Sequence, residues 1–168
     1  MEMVEKIKQR MKAFYGENPP VDEQVKHTLD VTDYTVRLAK LMGLDQRQTD
    51  LLAIAALLHD VGCPKARELY GKALPPYQEN FGREIAEEWL ADYAELSADE
   101  RTWLANVVGY HHHPRQATEM GFRPLFEADT IVNMYEGYYK QGQEQHVYDT
   151  LLETDEGRSL FAEMFLKK

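Results

Sequence analysis

Apolar residues recur at three- and four-residue spacing through nearly the whole chain. No stretch alternates apolar and polar positions as a half-buried strand would. The pattern predicts a first helix near residues 2–14, closed by Gly16 and Asn18. A second spans about 22–42 and stops at Gly43. Asp45, with Gln48 three residues on, caps a third helix as a weak capping box. That helix contains LLAIAALLHD, apolar on nearly every side, which predicts burial all round, and it ends near Val61-Gly62. Residues 63–77 read as a loop with at most one short helical turn, followed by a helix over about 78–93. Ser97 and Glu100 form a good capping box for a helix running to about 110. Residues 111–123 read as a second loop. A helix near 124–140 and two C-terminal helices complete an all-α chain. Pro19-Pro20, Pro64, Pro75-Pro76, Pro114 and Pro124 punctuate it, since proline ends or precedes a helix.

Composition narrows the function. The 168 residues suit one domain, and 29 acidic against 19 basic side chains give a net charge of −10. That balance argues against non-specific binding to nucleic acid, which positive charge drives. It leaves room for a small anionic substrate held by a local basic pocket or a metal. The one cysteine, Cys63, excludes a disulfide framework and suits a reducing compartment. The charged N-terminal stretch has no apolar run of the kind found in signal peptides or membrane anchors. A cytoplasmic protein that does not engage membranes is expected, as a monomer or homodimer.

The unusual polar residues are histidines and acids. His59-Asp60 ends a run of eight apolar residues, where an unpaired imidazole and carboxylate would be costly to bury. His27 shares a helical stripe with Val31 and Tyr34, which continues to Leu38 and Leu41; alone it reads as a core histidine. His111-His112-His113 can send one or two imidazoles toward a common site. Asp129 borders the stripe Leu125, Ala128, Val132 and Tyr135, while Glu127 lies roughly opposite and is expected to be solvated. Imidazole and carboxylate together suit zinc, iron, manganese, nickel or cobalt. Four such ligands leave positions open for water and substrate. Cys63 reads as small apolar packing. His146 reads as a surface residue, and Tyr135, Tyr138 and Tyr139 as core packing.

The succession His27, His59-Asp60, Asp129 resembles the HD superfamily of metal-dependent phosphohydrolases. LLHDVG is similar to its hallmark and EADTIVN to the segment around its last aspartate. The resemblance covers about 22–140 and implies a single HD-type helical domain over 1–168. It implies that His27, His59, Asp60 and Asp129 bind one divalent transition metal. Members with a second metal use a further histidine before a Gly-x-x-Ile-Ala helix and then a His-His pair. VGYHHHP supplies the pair as His111 and His112, but YQENFGREIAEEWL has Gln78 or Asn80 in place of the further histidine. An amide is a weaker transition-metal ligand than imidazole, so one metal is expected ahead of two. Cys63 replaces the lysine of the frequent His-Asp-x-Gly-Lys run, with Lys65 two residues later. The Gly-Tyr-Pro run of relatives that cleave cyclic dinucleotides is absent.

The resemblance implies hydrolysis of a phosphate ester in a nucleotide or other small phosphorylated metabolite. In that scheme Asp60 ligates the metal and orients the attacking water. His111 or His112 holds a second metal, or serves as acid or phosphate donor. Lys65, Arg67, Lys72, Arg83, Arg115 and Arg123 are the candidate phosphate-binding cations, with Lys65, Arg83 and Arg115 favoured. Glu23, one turn before His27, is a further ligand, a supporting carboxylate or an ordinary acid at a helix start. The alternatives are a di-iron oxygenase on the same scaffold, or a metal- or nucleotide-binding module that signals through a partner.

Overall fold

The computed structural model describes residues 2–18 and 20–167, so the reading of Pro19 lies outside the described residues. The elements are helices α1 (Glu2–Gly16), α2 (Val21–Leu41), α3 (Gln46–Leu58), α4 (Cys63–Tyr70), α5 (Pro75–Leu90), α6 (Ala98–Tyr110), α7 (Pro114–Glu119), α8 (Arg123–Tyr135), α9 (Glu144–Leu151) and α10 (Asp155–Phe161). A π-helical turn, Ala162–Leu166, follows α10. Among the described residues there is no strand. None of these helices is long and apolar enough to cross a membrane.

Helix α3 is the centre of the molecule. Leu52 through Leu58 are all buried, so it has no solvent face within that run. It packs against α1, α2, α6 and α8, while α2 also packs along α8 and α5 along α6. Both capping boxes form, Asp45 with Gln48 and Ser97 with Glu100. Arg47 joins the two helix starts by donating to both Glu100 carboxylate oxygens, at 2.8 and 2.6 Å. Helix α1 covers the opposite side through Met3, Ile7, Met11 and Tyr15, one residue per turn.

The segments expected to be loops are largely helical. Pro64 lies in the first turn of α4, Pro75 and Pro76 open α5, and Pro114 and Pro124 sit in the first turns of α7 and α8. Proline's fixed φ suits a first turn, whose N–H groups have no intrahelical partner in any case. These prolines therefore begin helices within 63–77 and 111–123. At the other end, α8 stops at Tyr135 and not near 140. Gly137 at φ +82° takes the left-handed conformation that lets the chain leave the helix. Tyr139 packs partly buried against the core as expected, but the early stop leaves the other two tyrosines outside it. Tyr135 is partly exposed and donates to Asp30 at 2.7 Å, and Tyr138 is 74% exposed. Leu41, at the end of α2, is exposed as well.

Glu127 is not solvated but 0% exposed. The C-terminal segment folds over it. Its carboxylate accepts from the N–H groups of Glu153 and Thr154 and from the Thr154 hydroxyl, at 3.1, 3.2 and 2.5 Å. Arg123 pairs with it at 3.4 Å, and a Cβ on Gly157 would lie 1.9 Å from Glu127 Oε1. Glu127→Ala would leave the Glu153 and Thr154 donors without their acceptor and remove one of the two carboxylates around a largely buried arginine. The expected cost is about 3 kcal/mol. Melting should drop by roughly 6–12 °C in calorimetry; a shift of under about 2 °C would mean that the carboxylate is dispensable.

Candidate metal centre

Two histidines enter the site as helix C-caps, His59 after α3 and His111 after α6. The last carbonyls of a helix lack intrahelical partners, and each ring takes one of them. His59 Nδ1 lies 2.6 Å from the Ala56 carbonyl oxygen and His111 Nδ1 2.7 Å from that of Val108. Nδ1 therefore carries the donated proton, and Nε2 presents a lone pair when the ring is neutral. His27 comes from the middle of α2, and its Nδ1 lies 3.1 Å from Glu136 Oε2. A carboxylate behind an imidazole is the usual orienting partner of a metal-ligating histidine.

The free edges converge. His27 Nε2 is 3.2 Å from Asp129 Oδ1 and 3.4 Å from Asp60 Oδ2. His59 Nε2 is 3.3 Å from Asp60 Oδ2 and 3.7 Å from Asp129 Oδ1, and His111 Nε2 is 3.5 Å from Asp60 Oδ1. Two ligands at ~2.1 Å from one ion, 90–109° apart, stand about 3.0–3.4 Å from each other. The observed spacings are close to that range. His59 Nε2, His111 Nε2 and Asp129 Oδ1 are buried without a hydrogen-bond partner. Orphaned polar atoms of this kind cost about 1–3 kcal/mol each, a cost that cations held in the cluster would offset. Two groupings have the reach to hold an ion: His27, His59 and Asp60, and Asp60, His111 and His112.

Protonation shows how much negative charge is concentrated here. Burial alone would push His27 and His59 down. Asp60 and Asp129 outweigh it and raise them to about 11 and about 10. Both carboxyls are held below their ordinary range: burial opposes this, but the imidazoles prevail. In the metal-free protein these raised histidine values add stability that is complete below about pH 6.5 and fades as pH climbs through 10 to 11. A metal needs the same rings neutral, so binding near pH 7.5 should expel about two protons. Titrating manganese calorimetrically in two buffers of different ionisation enthalpy measures that number. Identical heats would contradict it.

Gln78 borders the second grouping, its amide nitrogen 3.3 Å from His112 Nε2. Burial, then the neighbouring His111, push His112 down to about 4. Gln78 Oε1 is buried and unpartnered, whereas Asn80 is exposed. The adjacent Glu79 is buried too, 3.3 Å from His113 Nε2, and burial raises its pKa.

His27, Asp60, Gln78, His111, His112 and Asp129 line a cleft of about 520 Å³ between α2, α4, α5 and α8. Five of the six candidate cations lie outside that lining, Lys72 among them. On α4, Cys63 and Arg67 are one turn apart and reach the cleft, while Lys65 between them points away and lies over the Phe81 ring. Arg83 packs on Gly109 and the Tyr110 ring. Arg115 is 87% exposed and bound to Glu119. Arg123 is occupied by Glu127 and Glu153. Glu23 lines the mouth, and His146 is on the surface as expected.

Sequence reasoning missed Gln24, Glu79 and Glu136. Gln24 donates to Asp60 Oδ2 at 3.4 Å. Two of the three had a helical signal: Gln24 precedes His27 by three residues, and Glu136 follows Asp129 by seven. Glu79 had none, because its partner His113 is distant in the chain. A family model described as HD domain matches residues 25–153. Comparison with curated proteins and with solved structures returns no match.

Proposed function

The chain belongs to the HD domain family, of metal-dependent phosphohydrolase type, and on that footing we propose that it hydrolyses a small phosphorylated metabolite in this cleft. The observation that carries the reading is the convergence of His27, His59, Asp60 and Asp129 with buried, unpartnered donor atoms. These four would hold one divalent transition metal. Such a cation, when bound, supplies Lewis acidity, which acidifies water and withdraws charge from a phosphoryl oxygen. The chain's residues do the rest. Asp60 faces three imidazoles and can hold an attacking water by an oxygen lone pair. Glu136 orients His27, and Gln24 steadies the Asp60 carboxylate. His112, neutral near pH 7, can give its ring N–H to a phosphoryl oxygen or accept a proton from water.

A second reading places another ion among Asp60, His111 and His112, favoured by donor atoms within 4.8 Å of one another. Metal content per chain separates the two, and two irons with oxygen consumption would revive an oxygenase. The test of the main reading is phosphate release from nucleoside monophosphates and sugar phosphates. Each is assayed with manganese, cobalt, nickel, iron(II) or magnesium, with and without chelator. Release that chelation stops and one metal restores supports it. Measurable bound metal with no release from any phosphomonoester would sink it.

A further inference from the structure

Among the described residues lining the cleft, Arg67 is the one lysine or arginine, against Glu23, Asp60, Asp129 and Glu136. Four of the other arginines are committed to acids: Arg10 to Asp92, Arg47 to Glu100, Arg115 to Glu119, Arg123 to Glu127 and Glu153. Arg67 is different. It donates to the neutral Gln24 Oε1 at 3.3 Å, and its Nε is buried without a partner. Gln24 in turn donates to Asp60, which ties the guanidinium to the metal-centre carboxylate through one amide. A guanidinium has five N–H donors in a planar fork that matches a phosphate edge. An arginine whose side-chain hydrogen bond goes to an amide and whose Nε is unpartnered, set beside the reacting centre, is prepared for an anion.

The remaining charge limits what that anion can carry. If a divalent ion balances Asp60 and Asp129, Arg67 still faces both Glu23 and Glu136 on the same cleft. One phosphate can be met by Arg67 and the ion. A second negative group would find no cation and two carboxylates. The rest of the lining includes apolar surface from Phe126, Tyr139 and Leu151, and an amide from Asn133. Resting on the phosphohydrolase reading, we propose that Arg67 grips the phosphoryl group, and that the cleft selects phosphomonoesters whose organic part is neutral or cationic. Polyphosphates and esters with a carboxylate are disfavoured.

Three non-hydrolysable probes test this: propylphosphonate, aminoethylphosphonate and phosphonopropionate, with neutral, cationic and anionic bodies. Binding is measured calorimetrically on the full chain, with manganese and without it. The first two should bind at least about tenfold more tightly than the third. Arg67→Gln should weaken propylphosphonate roughly 10–100-fold while leaving manganese affinity unchanged. Arg67→Lys should recover part of the loss, because it keeps charge without the fork. Glu23→Lys should raise the affinity for phosphonopropionate toward that for propylphosphonate. Equal binding of all three probes, unchanged affinity in Arg67→Gln, or no binding at all would overturn the proposal. Arg67-dependent binding without turnover of any phosphomonoester would instead sink the hydrolase reading and leave Arg67 as an anion receptor.

Discussion

In the Asp60→Asn protein, metal-dependent hydrolysis should fall at least a thousandfold or so, while the far-ultraviolet circular dichroism stays helical. Asp60 is the one group common to both candidate ion groupings. Its Oδ2 meets His27 and His59, and its Oδ1 meets His111. Asparagine keeps the shape but removes a full negative charge from a buried cluster of imidazoles. About 4 kcal/mol of lost transition-state stabilisation corresponds to a thousandfold in rate. The substitution also removes a main reason why His27 and His59 hold protons in the metal-free state. Fewer protons should then leave when metal is added. Elemental analysis beside kcat/KM divides the roles. Loss of metal and rate together makes Asp60 a ligand above all, and loss of rate with metal retained assigns it to positioning water. Full metal and full rate would refute both.

Gly62→Ala should damage the fold more than any surface change. Gly62 has an ordinary helical φ of −79°, so glycine is not required there for its backbone freedom. It is required by what lies opposite. An added Cβ would stand 1.9 Å from the Gln78 carbonyl oxygen and 2.5 Å from the Gly82 nitrogen, both backbone atoms of α5. Helix α5 has little room to retreat, since at Gly82 a Cβ would itself meet Val108 of α6 at 2.8 Å. A collision between backbones belongs to the exceptional class of about 4–5 kcal/mol. That corresponds to a melting temperature lower by roughly 10–20 °C. The same shift moves Gln78 away from His112, so any second-ion affinity should fall with stability. A melting temperature within about 3 °C of the parent would show that α5 moves freely.

The sequence read well where structure is local and poorly where it is not. The burial of α3 on every side follows from LLAIAALL, and the two capping boxes from Asp45-Gln48 and Ser97-Glu100. His27 lies on an apolar stripe, Asp129 borders one and His59-Asp60 ends an apolar run, but it was the resemblance to the HD superfamily that grouped the four. The prolines misled because a residue that cannot continue a helix can still begin one. Glu127 misled because its partners, Arg123 apart, are at positions 153–157, and no local pattern shows that this segment folds back over it. Arg83 and Arg115 were favoured for nearness along the chain, and Lys65 for following the place of the family's lysine. Side-chain direction on α4, α5 and α7 sends all three elsewhere. Arg67, one helical turn from Cys63, is the cation that direction favours.

The converging donors lie far apart in the chain, at positions 27, 59–60 and 129. An ion held among them would act as a removable cross-link that closes two long segments at once. The entropy of such closure grows only with the logarithm of segment length, so both segments would be restrained to a similar degree. Occupancy would then be felt as cohesion throughout α2, α3 and α8, whose amide protons would slow their exchange with solvent in concert.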